Sequence, residues 1–293
     1  MLTEIYCNVD DFYKKKEFLN KNAMLTHKKK SNRGRKSAMT KSEIMTIVIF
    51  YHHSKFKNFK SYYEGMVKTH LTRCFRNLVS YNRFVELMQS TILDLFMFLH
   101  NNMGKCTGTS FIDSFSYSVC HIKRASSNKV FKGIAKKGKT SVGWFFGFKV
   151  HVTTNGHGEI IDFCLTPGNV SDSNREVITR ITKKLFGKLF GDRGYISSKI
   201  FKELYSKGVF LVTKIRKNMK NKLMELEDKF LLKKRGVIES VFSKLKIGLD
   251  VEHSRHRSVP GFLANLLGGL CAYVFEKKKP SIYRHKCPKL KAS

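Results

Sequence analysis

The feature that most limits the fold is a change of pattern near residue 108, from helical spacing to strand-like segments. Trp144 to Thr154 is predicted to be a strand because large apolar residues alternate with smaller or polar ones, and Gly158 to Leu165 is predicted to be another. Asn155-Gly156 between them favours a tight hairpin turn. Together with Thr109 to Val119, the pattern predicts three consecutive antiparallel strands.

The rest of this region alternates between helix and strand. The predicted segments are a helix from Ser171 through Leu185, a strand Lys188 to Gly191, a helix from Ser197 to about Ser206, a strand Val209 to Ile215, a basic segment Arg216 to Lys234, and a late helix carrying Glu239. Three antiparallel strands followed by helix, strand, helix, strand and helix is the order of an RNase H-like fold. We therefore expect an α/β domain with a mixed five-stranded sheet and helices.

The first 105 residues are predicted to be helical. Thr40-Lys41-Ser42-Glu43 is a capping box, and apolar residues at positions i, i+3, i+4 and i+7 follow it from Ile44. A second helix is predicted from about Asn82 to His100. Near the other end of the chain, Phe262 to Phe275 is predicted to be a buried helix with Pro260 near its first turn.

The charge of the chain points to a polyanionic partner. Lysine and arginine number 56 against 22 acidic residues, which gives a net charge of +34. Such an excess raises the local concentration of a polyanion, and nucleic acid is the obvious one. The alternative is a basic protein of another kind, such as a ribosome-associated one. Within the segment Lys28 to Lys36, Arg33 and Arg35 are candidates for DNA contact because short arginine-glycine arms enter minor grooves; a loop touching only phosphates is the alternative.

Neither the hydropathy nor the cysteines favour a membrane or secreted protein. The longest apolar stretch, Phe262 to Phe275, has 14 residues, whereas a spanning helix needs about 20. Met1 to Tyr6 does not have the pattern of a signal peptide. Seven cysteines without a Cys-x-x-Cys pair indicate free thiols and argue against a structural zinc site. We expect a cytoplasmic protein with no membrane partner.

Three carboxylates lie in or beside apolar stretches: Asp113, Asp192 and Glu239. An unpaired charge is costly there, and bound divalent cations would offset that cost. The first strand of an RNase H-like sheet is central and the fourth lies beside it, so Asp113 and Asp192 are predicted to be neighbours, with Glu239 brought over the same edge. These are the predicted catalytic residues and the ligands of two Mg²⁺ ions, with Mn²⁺ as a substitute, because such a pair clamps the oxygens of a phosphodiester.

The late helix supports this prediction. Arg235, Glu239 and Lys246 are spaced to share one helix face, where both bases would flank the acid and bind phosphates. The opposite face is apolar: Ile238, Val241 and Leu245. Two other acids, Asp162 in the third strand and Asp172 before a helix, rank lower, and Asp172 is expected to cap that helix.

One motif is discounted. Gly133 to Thr140 matches the phosphate-loop pattern G-x-x-x-x-G-K-T. Such a loop works only between a buried strand and a helix, whereas polar residues precede this segment and Val142 to Val152 is strand-like. We expect a basic hairpin that contacts DNA backbone, and no nucleotide partner.

Several motifs together carry a family resemblance. They are Phe111-Ile112-Asp113-Ser114, Gly143 to Lys149, Leu165 to Asp172, Gly191-Asp192-Arg193-Gly194-Tyr195, and Arg235-Gly236-Val237-Ile238-Glu239 with Lys246. With these motifs the chain resembles DDE insertion-sequence transposases, close to the group typified by insertion sequence 982. The resemblance implies Asp113, Asp192 and Glu239 as metal ligands and Arg235 and Lys246 as members of an arginine–glutamate–lysine signature. Lys149 and Arg193 in these motifs are further candidates for DNA contact. Leu232 departs from related groups, which carry a tyrosine there.

The resemblance implies a function for each predicted region. Residues 1–105 would be a helical DNA-binding region, 106–280 an RNase H-like catalytic domain and 281–293 a basic tail. The catalytic domain would cut double-stranded DNA at the terminal inverted repeats and join the freed 3′-hydroxyl to target DNA, in a homodimer on the DNA. The alternatives are a structure-selective nuclease of the same fold and a catalytically dead DNA-binding derivative. Trp144 would either stack on a base or fill a core or hairpin position.

Overall fold

The computed structural model describes residues 1–24, 37–214, 224–252 and 256–283. The chain forms two compact units. The first combines Met1–Asn102 with Leu245–Glu276, and the second combines Met103–Lys244 with Lys277–Ser293. Arg33 and Arg35 lie outside the described residues. Residues 245–276 belong to the first unit together with the N-terminal helices, although the predicted catalytic domain ran from 106 to 280.

The helices of the first unit are α1 (Leu2–Met24), α2 (Lys41–Tyr51), α3 (Phe59–Tyr62), α4 (Lys68–His70), α5 (Tyr81–Ser90), α6 (Ile92–Asn101) and, near the other end of the chain, α11 (Val259–Val274). Those of the second unit are α7 (Arg175–Ile181), α8 (Ser198–Ser206), α9 (Leu226–Lys233) and α10 (Gly236–Ser243). The strands are β1 (Thr109–Cys120), β2 (Lys136–Lys139), β3 (Trp144–Asn155), β4 (Ile160–Pro167), β5 (Gly187–Gly191) and β6 (Val209–Thr213).

The capping box predicted at the start of α2 is confirmed. The Glu43 amide donates to Thr40 Oγ1 over 3.2 Å, and the Thr40 amide donates back to Glu43 Oε2 over 2.7 Å. The helix expected from residue 82 to 100 is divided at Thr91, whose buried hydroxyl donates to the Met88 carbonyl over 2.8 Å. The hydroxyl of Ser258 caps α11, which has proline in its first turn as predicted.

A buried carboxylate joins three helices of the first unit. Asp94 of α6 accepts hydrogen bonds from Tyr13 of α1, over 3.0 Å, and from Lys41 of α2, over 3.1 Å. Lys16 of α1 also pairs with it. The two lysines supply the positive charge that a buried carboxylate requires, so these ion pairs link α1, α2 and α6. Among the described residues, no helix has the length and apolar character needed to cross a membrane.

The sheet of the second unit is mixed and has β1 at its centre. The strand order is β2-β3-β1-β5-β6, and β4 pairs with the same edge of β3 beyond β2. β1, β3 and β4 are antiparallel, whereas β5 and β6 run parallel to β1. This is the RNase H-like arrangement that the order of the segments predicted, with β2 as a sixth strand that the prediction lacked.

Helices cover both faces of this sheet. On one face, α7 and α8 enclose an apolar cluster that includes Ile112, Ile161, Ile178 and Leu204. On the other face, Phe115 of β1 contacts Phe242 of α10 with ring centroids 4.9 Å apart. Burial of apolar side chains on both faces therefore holds the central strand in place and orients α10 across it.

Two predicted elements needed correction. The helix expected from Ser171 through Leu185 is the shorter α7, which Asn174 caps. The basic segment before Glu239 includes a helix, α9, next to β5, where Lys188 pairs with Asp228 over 2.7 Å. By contrast, the segment that matches the phosphate-loop pattern forms the basic hairpin that was expected, because it ends in β2 and turns into the antiparallel strand β3. Lysine-rich segments show no apolar alternation, so their sequence gives no local sign of a helix or a strand. Their structure depends on contacts with neighbouring elements, which a local pattern does not show.

Candidate active site

The sheet brings Asp113 and Asp192 to the same level. Phe111 of β1 is paired with Phe190 of the parallel strand β5, and their rings lie 5.6 Å apart. Continuing this register by two residues sets Asp113 level with Asp192, directly after the end of β5. Asp113 is partly buried, with 23% of its side chain exposed, whereas Asp192 is exposed.

Arg235 links Asp113 to Glu239. Its Nη1 donates to Asp113 Oδ2 over 2.7 Å, and its Nη2 donates to Glu239 Oε1, also over 2.7 Å. The guanidinium group thus places one positive charge between two of the predicted metal ligands. Such charge-assisted bonds from one planar group also fix the orientation of both carboxylates.

The position of Glu239 follows from the packing of α10. Ile238 and Val241 are fully buried, as their spacing predicted, and Phe242 packs on Phe115. These contacts anchor one side of the helix against β1 and leave the Glu239 side chain 60% exposed. The acid is therefore accessible while the helix that carries it is held.

Burial changes the acidity of Asp113. It raises the pKa of the Asp113 carboxyl above its ordinary value, although the Ser114 amide and Arg235 favour the charged form. The negative charge of Asp172 raises this pKa further. A second cation near Asp113 would therefore lower the free energy of its ionised form.

Asp172 belongs to this region, and the expectation that it caps a helix was wrong. Its Oδ1 accepts from the Ser114 hydroxyl over 2.7 Å and from Lys149 over 3.2 Å. His151 is fully buried beside it, with Nδ1 at 3.9 Å from the same oxygen. The next residue of β1 after Asp113 is thus tied to a fourth acid that lies 58 positions away in the chain, which spacing in sequence alone does not reveal.

Tyr195 places a phenol among these charges. Its hydroxyl is buried and makes no hydrogen bond within the described part of the chain. Burial raises the pKa of the phenol well above its ordinary value, and nearby acids raise it further: Asp113, Asp172 and Asp192. The phenol therefore stays protonated and supplies a hydrogen-bond donor next to the carboxylates. The sequence signal for this residue was its place in Gly191-Asp192-Arg193-Gly194-Tyr195.

The bases predicted to contact DNA have different surroundings. Lys149 is 14% exposed and pairs with Asp172, whereas Arg193 is exposed. Lys246 lies in a π-helical turn, Lys244–Gly248, and pairs with Glu252 over 2.8 Å within the first unit. Lys149, Lys246 and Arg235 thus form intramolecular ion pairs, which departs from the expectation that the two bases of the late helix stand available for phosphates.

The sequence identifies the family of the second unit. Residues 103–259, more than half of the chain, match the family described as "Transposase DDE domain". The chain belongs to the DDE transposase domain family. All three predicted catalytic acids of this transposase, Asp113, Asp192 and Glu239, lie within the matched residues.

A solved transposase structure has a similar fold. A cryo-EM structure titled piggyBac transposase synaptic complex with hairpin DNA aligns with a TM-score of 0.51 at 10% identity, over 93% of this chain and 71% of that one. A crystal structure of the Mos1 strand transfer complex covers 87% of this chain and 82% of its own, with a TM-score of 0.24 at 10% identity, too low a score to support an argument. A comparison with curated proteins found no match. The first similarity supports the RNase H-like fold of the transposase.

The donors of this transposase suit a hard divalent cation, but their present arrangement does not form a complete metal site. Carboxylate oxygens from Asp113, Asp192 and Glu239 are the donor type that Mg²⁺ prefers. Within the described residues, no three His, Cys, Asp or Glu side chains stand close enough together to hold a metal ion. Instead Arg235 provides the cation between Asp113 and Glu239. The donor chemistry therefore fits a metal, and Arg235 would have to release at least one acid to admit it.

Proposed function

We propose that this chain is an insertion-sequence transposase of the type of insertion sequence 982, which cuts double-stranded DNA at the element's ends and joins the 3′-hydroxyl ends to target DNA. The observation that carries the proposal is the grouping at β1. Asp113 is level with Asp192 by strand register and linked to Glu239 through Arg235. Membership of the DDE transposase family supports this use of the three acids.

The proposed metal ligands are Asp113, Asp192 and Glu239, with two Mg²⁺ ions, or Mn²⁺ in their place. When bound, such a pair stabilises the negative charge that develops on the attacking and leaving oxygens of a phosphodiester. The family and the carboxylate donors support this assignment. No protein nucleophile is required, because water attacks first and the freed 3′-hydroxyl attacks second.

The side chains around the acids have separate roles in this proposal. Arg235 holds Asp113 and Glu239 until cations enter, and its guanidinium group then becomes available to a DNA phosphate. Tyr195 remains protonated, and its hydroxyl, which makes no hydrogen bond among the described residues, is free to donate one to DNA or water at the acids. Ser114 and Lys149 orient Asp172, which keeps the middle of β1 beside Asp113 in one conformation.

DNA binding is proposed from charge and from similarity. The net charge of +34 favours association with a polyanion and makes binding weaken as salt is added. The piggyBac structure is titled as a complex with hairpin DNA.

We assign the helical first unit to recognition of the terminal inverted repeats. Arg193 is an exposed candidate for phosphate contact beside Asp192. Two copies on the DNA would bring two ends together.

The test is an assay of cutting and joining. A labelled duplex taken from the DNA that flanks the gene is incubated with the protein and Mg²⁺, and cut and joined products are separated on a gel. We expect Asp192→Asn to abolish both products while a mobility-shift assay shows unchanged DNA binding. Asp162→Asn is the matched control, because Asp162 lies in β4 and accepts a bond from the Phe163 amide.

Each outcome has a distinct meaning. Joined products from the wild-type protein support a transposase, whereas hydrolysis without joining would assign the chain to the structure-selective nucleases. Unchanged cutting by Asp192→Asn would rule out Asp192 as a ligand. Wild-type protein that binds DNA but never cuts the correct flanking ends would indicate a non-catalytic derivative.

A further inference from the structure

The turn between β2 and β3 presents an exposed apolar tip. We call residues Thr140–Trp144 the hairpin tip; Thr140 and Gly143 close it with backbone hydrogen bonds of 2.9 and 3.3 Å. Val142 is 96% exposed and Trp144 is 61% exposed. Exposed large apolar side chains cost free energy in water, so a cluster of them at a loop tip is a mark of an interaction surface.

The base of this hairpin is packed tightly. Phe145 and Phe146, which follow the tip, are buried. Gly138 of β2 has no room for a side chain, because a Cβ there would lie 2.2 Å from the Gly168 carbonyl oxygen and 2.6 Å from the Phe145 ring. The tip is therefore presented from a fixed base. Since the neighbouring phenylalanines fill the core, the exposed indole of Trp144 does not serve to fill it.

The chain segment that contains the hairpin tip carries only positive charge. Residues 114–158 contain eight lysines and arginines and no aspartate or glutamate. Lys136, Lys137 and Lys139 of β2 are exposed, and Lys139 Nζ lies 5.8 Å from the centroid of the Trp144 ring. An aromatic face bordered by lysines suits a ligand that has both a flat π system and a backbone of negative charge.

We propose that the hairpin tip is a stacking platform for an unpaired base of DNA, with Trp144 under the base and Lys137 and Lys139 against the flanking phosphates. The inference rests on the proposed function, since it specifies one part of how that DNA is held. A duplex keeps its bases stacked on each other, so the platform distinguishes strands with unpaired bases from fully paired ones. Stacking on an aromatic ring requires no particular base, so the preference is for unpaired structure and not for sequence.

The register of the sheet sets the distance from the platform to the acids. Asp113 is level with Val152 of β3, eight residues beyond Trp144. At about 3.3 Å per strand residue this is about 26 Å along the sheet. A strand held at both places would span about eight nucleotides at the duplex spacing of about 3.4 Å each. The platform therefore engages DNA that flanks the cut and not the nucleotide being cut.

The experiment uses the single tryptophan of the chain as its probe. Full-length protein is titrated, without divalent metal, with a blunt duplex and with the same duplex carrying a single-stranded tail of ten thymidines. Binding is followed by anisotropy of a dye on the DNA, and Trp144 is followed by its own fluorescence and by acrylamide quenching. We expect the tailed duplex to quench the indole emission and protect it from acrylamide, and the blunt duplex to bind without either change.

Variants separate stacking from charge and from folding. We expect Trp144→Ala to lower the preference for the tailed over the blunt duplex about tenfold, the equivalent of stacking one base. Trp144→Phe keeps an aromatic face and should retain most of the preference. Tyr205→Ala is the matched control, because Tyr205 is an aromatic residue of α8 with 59% exposure; it should leave the preference unchanged.

The outcomes are distinguishable from those of the proposed function. Full DNA binding by anisotropy with no change in Trp144 emission, or an unchanged preference in Trp144→Ala, would overturn the platform and leave the transposase proposal standing. If Trp144 became protected from acrylamide as the protein concentration rose in the absence of DNA, the hairpin tip would be a contact between copies of the protein. That result would also overturn the platform. Failure to bind any DNA would overturn both.

Discussion

Arg235 donates to Asp113 across 2.7 Å, a bond between residues 122 positions apart in the chain. The same guanidinium group donates to Glu239 four positions away. Without this group, the carboxylates of Asp113 and Glu239 would lose the cation that pairs with both of them. The Asp113 carboxylate is also largely buried. The bond therefore stabilises the acids of the site in the absence of metal.

Replacement of Arg235 by glutamine tests this relationship. We expect Arg235→Gln to lower the free energy of unfolding in EDTA by about 2 kcal/mol, less than full burial would give, because the acids keep some access to water. Added Mg²⁺ should stabilise the variant more than the wild type, because the guanidinium group no longer competes for the carboxylates. Thermal and denaturant unfolding with EDTA or Mg²⁺ measures both effects.

Lys246→Gln is the control for this prediction. Lys246 pairs with Glu252 in the first unit, so its loss should change the stability in EDTA and in Mg²⁺ by the same amount. An Arg235→Gln protein whose response to Mg²⁺ equals that of the wild type would show that Arg235 and the cations do not compete.

A buried imidazole gives the first unit a predicted dependence on pH. His52 Nδ1 donates to the Leu249 carbonyl over 2.8 Å, while Nε2 is buried and makes no hydrogen bond in the described region. Burial lowers the pKa of His52 to about 4 from an ordinary value of 6.5, although the bond to Leu249 favours the charged form. The folded state therefore binds this proton less readily than the unfolded state does.

The sign of the effect follows from that difference. Stability from neutral His52 is complete above pH 6.5 and is lost as the pH falls towards 4, because the unfolded chain takes up the proton first. We expect His52 to account for a loss of about 2 kcal/mol between pH 7 and pH 5. Denaturant unfolding at both values measures it. His52→Asn keeps a donor near the position of Nδ1 and does not ionise in this range. The variant should therefore lose about 2 kcal/mol less free energy of unfolding between pH 7 and pH 5 than the wild type does. An equal loss in the two proteins would contradict the prediction.

Two glycines give opposite predictions for the same substitution. A Cβ at Gly269 of α11 would lie 2.3 Å from Val251 Cγ2, whereas a Cβ at Gly236 of α10 would meet no atom within 4 Å. We expect Gly269→Ala to destabilise the protein by about 1–3 kcal/mol through overpacking. Gly236→Ala should stabilise it by up to about 1 kcal/mol, because alanine loses less backbone entropy in a helix. Calorimetric unfolding compares the two, and destabilisation by Gly236→Ala would contradict the geometry.

The sheet was predictable because its signals are local. Alternation in β3 and the Asn155-Gly156 turn predicted the hairpin, and the spacing of helix and strand segments predicted the parallel half. The same order placed Asp113 next to Asp192, which the register of β1 and β5 is consistent with. The buried stripe of α10 also follows from spacing alone.

The parts that escaped prediction depend on distant partners. Asp172 does not cap α7, because its Oδ1 accepts hydrogen bonds from Ser114 of β1 and Lys149 of β3. Arg235 turns inward to two acids, whereas the spacing of the late helix showed only that it shares a face with Glu239. A pattern in one segment carries no information about a charge presented by another.

The path of the chain between the two units has a consequence for how the protein is made. Helix α11 packs against α2, α5 and α6, yet the whole sheet unit is encoded between them. During translation, the N-terminal helices leave the ribosome with an incomplete apolar core, and that core closes only after residue 276 has emerged. A gene fragment ending near residue 105 would consequently yield an aggregating polypeptide, and expressing the helical unit without the sheet unit requires grafting α11 back onto that fragment.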